Sequence, residues 1–208
     1  MTLAMTPAMA LALAGSFGSV ARWREDFVAL PARSKAGRVL LSLQPRTGLL
    51  VNQAAADQGV VLLALELAEQ QDPVAAAQAF IAQIDWDEVY ALYQAAVQDA
   101  SEGFAADLAQ LDLGRQVVVD VRRDAMFEQA QTMLPGAHWR DPAQVADWAT
   151  ELQPGAEVLV YCVYGHEVGR VTAVKLRALG IKASYLPGGI DAWAAAGKPL
   201  QNKQDLEQ

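Results

Sequence analysis

Cys162 is the residue of this chain best placed for covalent chemistry. It is the one cysteine among 208 residues. It follows the apolar run Glu157-Val-Leu-Val-Tyr161 and precedes Val163-Tyr-Gly-His-Glu167, after which a helical pattern begins at Val168. A thiol between strand and helix sits at the carboxyl end of a parallel strand, where open sheets bind ligands. The N–H groups and dipole of the following helix favour negative charge there, so the spacing predicts a lowered thiol pKa and donors for an anionic substrate. Gly165 lets the backbone bend round the sulfur without a Cβ clash. The competing reading is a lone cysteine serving as a small buried hydrophobe. One thiol makes no internal disulfide, so no disulfide framework holds the fold.

The residues round the thiol narrow the chemistry. A phosphatase or arsenate reductase needs an Arg after five intervening residues, because a guanidinium grips an oxyanion bidentately. Position 168 is Val, and Arg170 comes two residues late and is expected to point elsewhere. Tyr164 is a candidate for the pocket mouth. Asp120 and Arg122, after the run Val117-Val-Val119, either orient the loop or form a structural pair. His138 and Trp139 read as packing residues, and Trp193, at helical spacing from Ile190, reads as core.

These residues need a scaffold, and the pattern supplies one. From Gln116 onward short apolar runs alternate with helical segments. Strands are expected at Val117–Val121, Val158–Cys162 and Ala183–Leu186. Helices are expected at Ala125–Gln131, from Asp141-Pro142 through Leu152, at Val168–Leu179 and at Asp191–Ala196. Such alternation means an α/β domain with a parallel sheet. The half before it reads differently. Residues 4–30 are helical with a break near Gly15–Gly18. Arg38–Leu43 and Leu49–Asn52 flank the turn Pro45–Gly48 as a hairpin, and Val60–Leu67 reads as a third, buried strand. Asp72-Pro73 opens an Ala-rich helix, and Asp85–Ala100 is another. The domain boundary falls near residues 111–116, and the polar tail Gln201–Gln208 is expected to fray.

Composition excludes several classes. With 53% hydrophobic and 19% charged residues the chain can bury a core. Its net charge of −8 and lack of a basic run argue against nucleic acid. Residues 1–112 carry 6 Lys+Arg against 13 Asp+Glu, and residues 113–208 carry 10 against 11, so an anionic substrate meets less repulsion at the C-terminal half. No apolar run spans a membrane. Met1–Val20 is apolar but lacks a basic n-region, and its helical spacing continues through Trp23, Phe27 and Leu30, which favours a packed helix over a secretory signal and a cytoplasmic location.

Asp120-Val-Arg122, Leu134-Pro-Gly-Ala137, Cys162-Val-Tyr-Gly165 and Leu186-Pro-Gly-Gly-Ile-Asp-Ala-Trp193 stand in order and spacing, and over about residues 114–200 the chain resembles the rhodanese homology domain. The resemblance implies an active loop beginning at Cys162 and formed by Val163, Tyr164, Gly165, His166 and Glu167, with Val168 completing the substrate-binding set. It implies a cysteine that cycles through a persulfide, a sulfur donor such as thiosulfate or a persulfide, and a thiol, cyanide or carrier-protein acceptor. No cofactor or metal is implied. The loop departs from the family in carrying His166 and Glu167 where many members carry Arg, Lys, Ser or Thr. Glu167 either repels a dianion, with a protonated His166 offsetting it, or turns outward or caps the helix. Some rhodanese-like modules are non-catalytic, but these usually lack the cysteine.

Residues 4–98 carry a second, fainter resemblance. Gly15-Ser-Phe-Gly-Ser-Val-Ala-Arg-Trp-Arg-Glu-Asp-Phe27, the β-rich hairpin and Asp85-Trp-Asp-Glu-Val-Tyr90 are similar to the C-terminal α/β domain of iron/manganese superoxide dismutases. That family's site uses three His and one Asp, and its Asp-x-Trp-Glu-His is Leu63-Ala-Leu-Glu-Leu67 here, with only Glu66 kept. Leu cannot bind a hard divalent metal, so dismutase activity is not expected. The expected molecule is a smaller α+β dismutase-like domain, 1–112, for dimerisation or docking, followed by a rhodanese-like parallel sheet flanked by helices, 113–208.

Overall fold

Thr6 and Pro7 start the first helix, α1 (Pro7–Phe17). Thr6 Oγ1 accepts from Met9 N at 3.2 Å, and Pro7 fills a first-turn position whose N–H would have no helical partner. Gly18, at φ 83°, ends the helix in the left-handed conformation, and α2 (Val20–Ser34) follows at once, so the expected break is present. The structure, a computed structural model of the chain, describes residues 4–34, 37–54, 59–67 and 72–203. The chain divides into two compact units, Met1–Pro45 with Leu49–Ala96, and Arg46–Gly48 with Val97–Gln208.

In the first unit, α2 buries Trp23, Phe27 and Pro31, four residues apart and therefore on one stripe. Trp23 meets Trp86 edge-on at 5.4 Å between ring centroids, and Phe27 stacks on Phe80 at 6.0 Å. Three antiparallel strands, β1 (Arg38–Gln44), β2 (Leu49–Ala54) and β3 (Val60–Glu66), lie in the order β2-β1-β3. The central strand is buried from Val39 to Leu43, which explains its mostly apolar run, and the one polar residue there, Ser42, accepts from Gln53 Nε2 at 2.9 Å. The strand at Val60 forms as expected but is not buried throughout. As an edge strand it buries Leu62, Leu63 and Leu65 and leaves Val60, Ala64 and Glu66 exposed. Two helices complete the unit's elements, α3 (Pro73–Ile81) and α4 (Trp86–Ser101). Asp72 Oδ1 accepts from Val74 N and Ala75 N, so it caps as the sequence suggests, and Asp85 Oδ1 accepts from Asp87 N and Glu88 N, so the residue read as the start of the next helix caps it instead.

The second unit is built on a parallel sheet. Its strands are β4 (Val117–Asp120), β6 (His138–Trp139), β7 (Glu157–Tyr161) and β8 (Lys182–Tyr185), in the order β6-β4-β7-β8. Ala105 adds a parallel bridge beside Tyr185. The helices are α5 (Asp124–Gln129), α6 (Val145–Trp148), α7 (Glu167–Ala178) and α8 (Gly189–Ala195). A two-stranded antiparallel pair joins β5 (Thr132–Met133) to β9 (Gln201–Asn202). The core beneath the sheet contains Val118, Met133, Leu134, Leu159, Tyr161, Leu186 and Trp193.

Two expectations need correction here. The helix expected from Asp141 to Leu152 is only α6 followed by a 3-10 turn, Ala149–Glu151. Asp141 instead makes a tight local turn, its Oδ1 accepting from Ala143 N at 2.8 Å, and its carbonyl accepts from Trp148 Nε1. The tail does not fray at Gln201. Its first residues pair with β5, Lys203 N donates to the Gln131 carbonyl, and Lys203 Nζ donates to the Phe127 carbonyl. Residues 204–208 lie outside the described residues.

Candidate active site

The apolar run of β7 carries the chain through the sheet and delivers Cys162 at its carboxyl end. The loop then turns back into α7, whose first residue is Glu167. This turn wraps the thiol in backbone. The backbone N–H groups of Gly165, His166 and Gly169 act on the Cys162 sulfur and pull its pKa down. The side chain is 6% exposed, so the sulfur lies beneath its loop.

A second segment clamps the loop. Ile190 N donates to the Cys162 carbonyl at 3.0 Å and Asp191 N to the Val163 carbonyl at 3.1 Å, so the first turn of α8 satisfies the two carbonyls the loop leaves open. The approach requires glycine. A Cβ on Gly189 would strike the carbonyl oxygens of Val163 and Cys162, and one on Gly165, at φ 67°, would strike the backbone of Leu186, Gly188 and Gly189. The motif Leu186-Pro-Gly-Gly-Ile-Asp191 is therefore a backbone partner of the thiol loop.

The electrostatics of Cys162 differ from the expectation. Burial pushes the thiol pKa up, the three N–H groups push it down, and the charge of Glu167 pushes it up again. The net direction is upward. The helix N-terminus acts as expected, but desolvation of a thiolate sealed beneath backbone outweighs it. Glu167 is 7% exposed and occupies the first turn of α7, so it does not turn outward. The N-cap position belongs to His166.

Tyr164 and His166 project from the loop. Both are exposed, with ring centroids 5.7 Å apart. Val163 is half-buried and Val168 buried. Arg170 reaches back to the loop, its Nε donating to the Gly165 carbonyl at 3.0 Å. As its two-residue offset predicts, it does not stand where a phosphatase Arg would; the spacing alone does not show its grip on the loop carbonyl. An Arg in the first turn of a helix, with an open carbonyl at the preceding glycine turn, is the signal that points to the contact.

Asp120 and Arg122 lie at the end of β4 and pair with each other in the interior. Arg122 Nε donates to both carboxylate oxygens and its Nη2 makes a short contact to one of them, while Tyr161 OH donates to Asp120 Oδ2 at 2.7 Å. Arg122 also reaches the Thr132 carbonyl at 3.1 Å. Burial and the Asp120 carboxylate push the Tyr161 phenol strongly up, which keeps it a hydrogen donor. This network ties β4, β5 and β7 together. Asp120 and Arg122 thus form a structural pair at the strand end, held by Tyr161 and Thr132. Trp139 packs as expected, stacking on Phe127 at 5.3 Å, while His138 is exposed.

Comparison with known proteins agrees with this architecture. Residues 104–196 match the family described as rhodanese-like domain, and the second unit has a rhodanese-like fold. Solved structures similar to the chain include a rhodanese-related protein from Thermoplasma volcanium (21% identity, 47% of this chain and 96% of that one, TM-score 0.40). A thiosulfate sulfurtransferase from Pseudomonas aeruginosa is also similar (30% identity, 43% of this chain and 17% of that one, TM-score 0.37). The N-terminal part is similar to a different protein, the superoxide dismutase [Fe] of Cupriavidus metallidurans. That match is 35% identical over 107 residues, covering 44% of this chain and 54% of the relative, so the chain spans about half the length of the curated relative it matches. Among the described residues no group of three His, Cys, Asp or Glu is placed to hold a metal ion.

Proposed function

We propose that the chain is a sulfurtransferase that moves a sulfane sulfur through a persulfide on Cys162. The Cys162 thiolate attacks the outer sulfur of a donor, thiosulfate or a persulfide. The donor S–S bond breaks, and its electron pair leaves with sulfite or with a thiolate. An acceptor thiolate, cyanide or a carrier-protein thiol then attacks the outer sulfur of the Cys162 persulfide. The S–S bond to Cys162 breaks and its pair returns to Cys162 as thiolate. One neutral sulfur atom has moved, and no outside oxidant is required. The division into two steps is covalent catalysis.

The observation that carries this reading is the thiol buried at a strand's carboxyl end with loop and helix backbone packed round it, where the N–H groups of Gly165, His166 and Gly169 favour its anion. Donors fixed in that pattern stabilise the anionic sulfur in both the thiolate and the persulfide. The chain holds no second cysteine, so the acceptor comes from outside. Partners are therefore a small sulfur donor and a thiol or carrier acceptor, with neither nucleic acid nor membrane involved. A cytoplasmic setting and a homodimer through the N-terminal unit belong to the same reading. Among the described residues no helix is long and apolar enough to cross a membrane.

A second reading, a non-catalytic binding module, is favoured by one observation, the burial of the thiol, which pushes its pKa up. Intact-mass spectrometry after incubation with a panel of thiosulfate and persulfide donors separates the two. The transferase gains one sulfur atom, the gain is absent in Cys162→Ser, and an added thiol removes it. A protein that every donor leaves unmodified is a binding module.

A further inference from the structure

Arg170 lies outside the set of residues that touch the sulfur, yet its side chain is fixed from three directions. Its Nε donates to the Gly165 carbonyl at 3.0 Å, its guanidinium lies 4.5 Å from the Tyr185 ring centroid, and its Nη1 stands 3.4 Å from the hydroxyl of the buried Ser101. The stacking on Tyr185 fixes the plane of the fork and so the direction of its N–H groups.

The carbonyl it holds has a particular neighbour. The Gly165 C=O and the His166 N–H belong to one peptide group. That group is trans, since the structure contains no cis bonds among the described residues, so its C=O and N–H point opposite ways. The N–H is one of the three backbone groups that lower the Cys162 pKa. Gly165 is in the left-handed region at φ 67°, and glycine is the residue most able to let such a peptide turn over. A turned peptide would aim a carbonyl oxygen, with its partial negative charge, at the sulfur.

We propose that Arg170 is a positioning residue. By gripping the Gly165 carbonyl it locks the Gly165–His166 peptide with its N–H aimed at the Cys162 sulfur. The donor cradle is thus held by a side chain on the helix behind it as well as by the clamp of the Pro-Gly-Gly turn. Arg170 touches no reacting atom. Its influence reaches the sulfur through one peptide group.

The test is the pH profile of Cys162 alkylation by iodoacetamide in the full-length protein, which needs no sulfur donor and so stands apart from the transfer reading. Arg170→Met keeps the apolar stem and removes the donor. It is expected to slow alkylation at pH 8 by about tenfold, the scale of one hydrogen bond to a charged acceptor, with the whole profile displaced to higher pH and the high-pH plateau unchanged. Arg170→Lys, which keeps a donor, restores part of the loss. A folded Arg170→Met protein whose profile superimposes on wild type overturns the proposal. The wild type gives an independent reading should Arg170→Met fail to fold. In the 15N-labelled protein the His166 amide resonance is expected to move with the thiol titration, and an amide that stays flat through that titration overturns the proposal equally.

Discussion

Two opposed effects meet at Cys162. Sealing a thiolate beneath backbone raises its pKa, while the N–H groups of Gly165, His166 and Gly169 lower it. Glu167 adds to the first effect from the start of the next helix. Its carboxylate is buried, so solvent screens it little, and the same charge opposes a dianionic donor. Glu167→Gln is therefore expected to move the alkylation profile of Cys162 to lower pH, with a severalfold faster reaction at pH 8. Thiosulfate, as the dianion, is expected to gain more from the substitution than a donor whose persulfide carries a single negative charge, read as the ratio of their kcat/KM values. Equal gains would show that Glu167 tunes the thiol without selecting the donor. Efficient wild-type turnover of thiosulfate and cyanide, untouched by the substitution, would remove Glu167 from both roles.

At the level of elements the loop after β7 and the first turn of α8 behave as one unit joined by backbone. Gly189 is the test of that joint, because a Cβ there meets the carbonyls of Cys162 and Val163. Gly155 supplies the comparison, with φ 82° but open space round the missing Cβ. Gly155→Ala carries only the left-handed strain and is expected to lose about 1 kcal/mol. Gly189→Ala adds the collision and is expected to lose about 3 kcal/mol, measured by thermal or denaturant unfolding. Equal losses at the two glycines would mean the loop shifts freely. The apolar runs of β4 and β7 and the β-rich run of β1 are local patterns and were legible as strands. The cap Asp72 was legible because its side chain acts on N–H groups two and three residues away. Contacts between distant segments left no local mark. Thr132–Met133 against Gln201–Asn202 is a two-residue pairing between segments far apart in the chain. The reach of Arg122 to Thr132 and the reversal of Arg170 onto Gly165 depend equally on tertiary packing.

For the molecule as a whole, the order of motifs in the second unit revealed the rhodanese-like fold, whereas the net sign of the thiol shift required knowing how deep the sulfur lies. Burial has a further consequence on the other side of the same helix system. Lys175, on α7, is 8% exposed, and desolvation lowers its pKa from 10.5 to about 8. Below pH 8 the amine is charged in both the folded and unfolded chain, and the folded state bears the full desolvation cost. Between pH 8 and 10.5 the unfolded chain binds more protons than the folded one, so this residue makes stability rise with pH across that window and adds no cost above it. Cys162 and Tyr161, both raised, act in the opposite sense at alkaline pH, which makes the wild-type curve a composite. Lys175→Met isolates the lysine, since it keeps the apolar stem and removes the charge. The variant is expected to be more stable than wild type at pH 7, by at most about 3 kcal/mol, with the difference shrinking steadily from pH 8 to 10.5. Denaturant unfolding of the two proteins at several pH values measures it. A difference that does not change with pH would mean that Lys175 reaches solvent and that its burial carries no charge penalty.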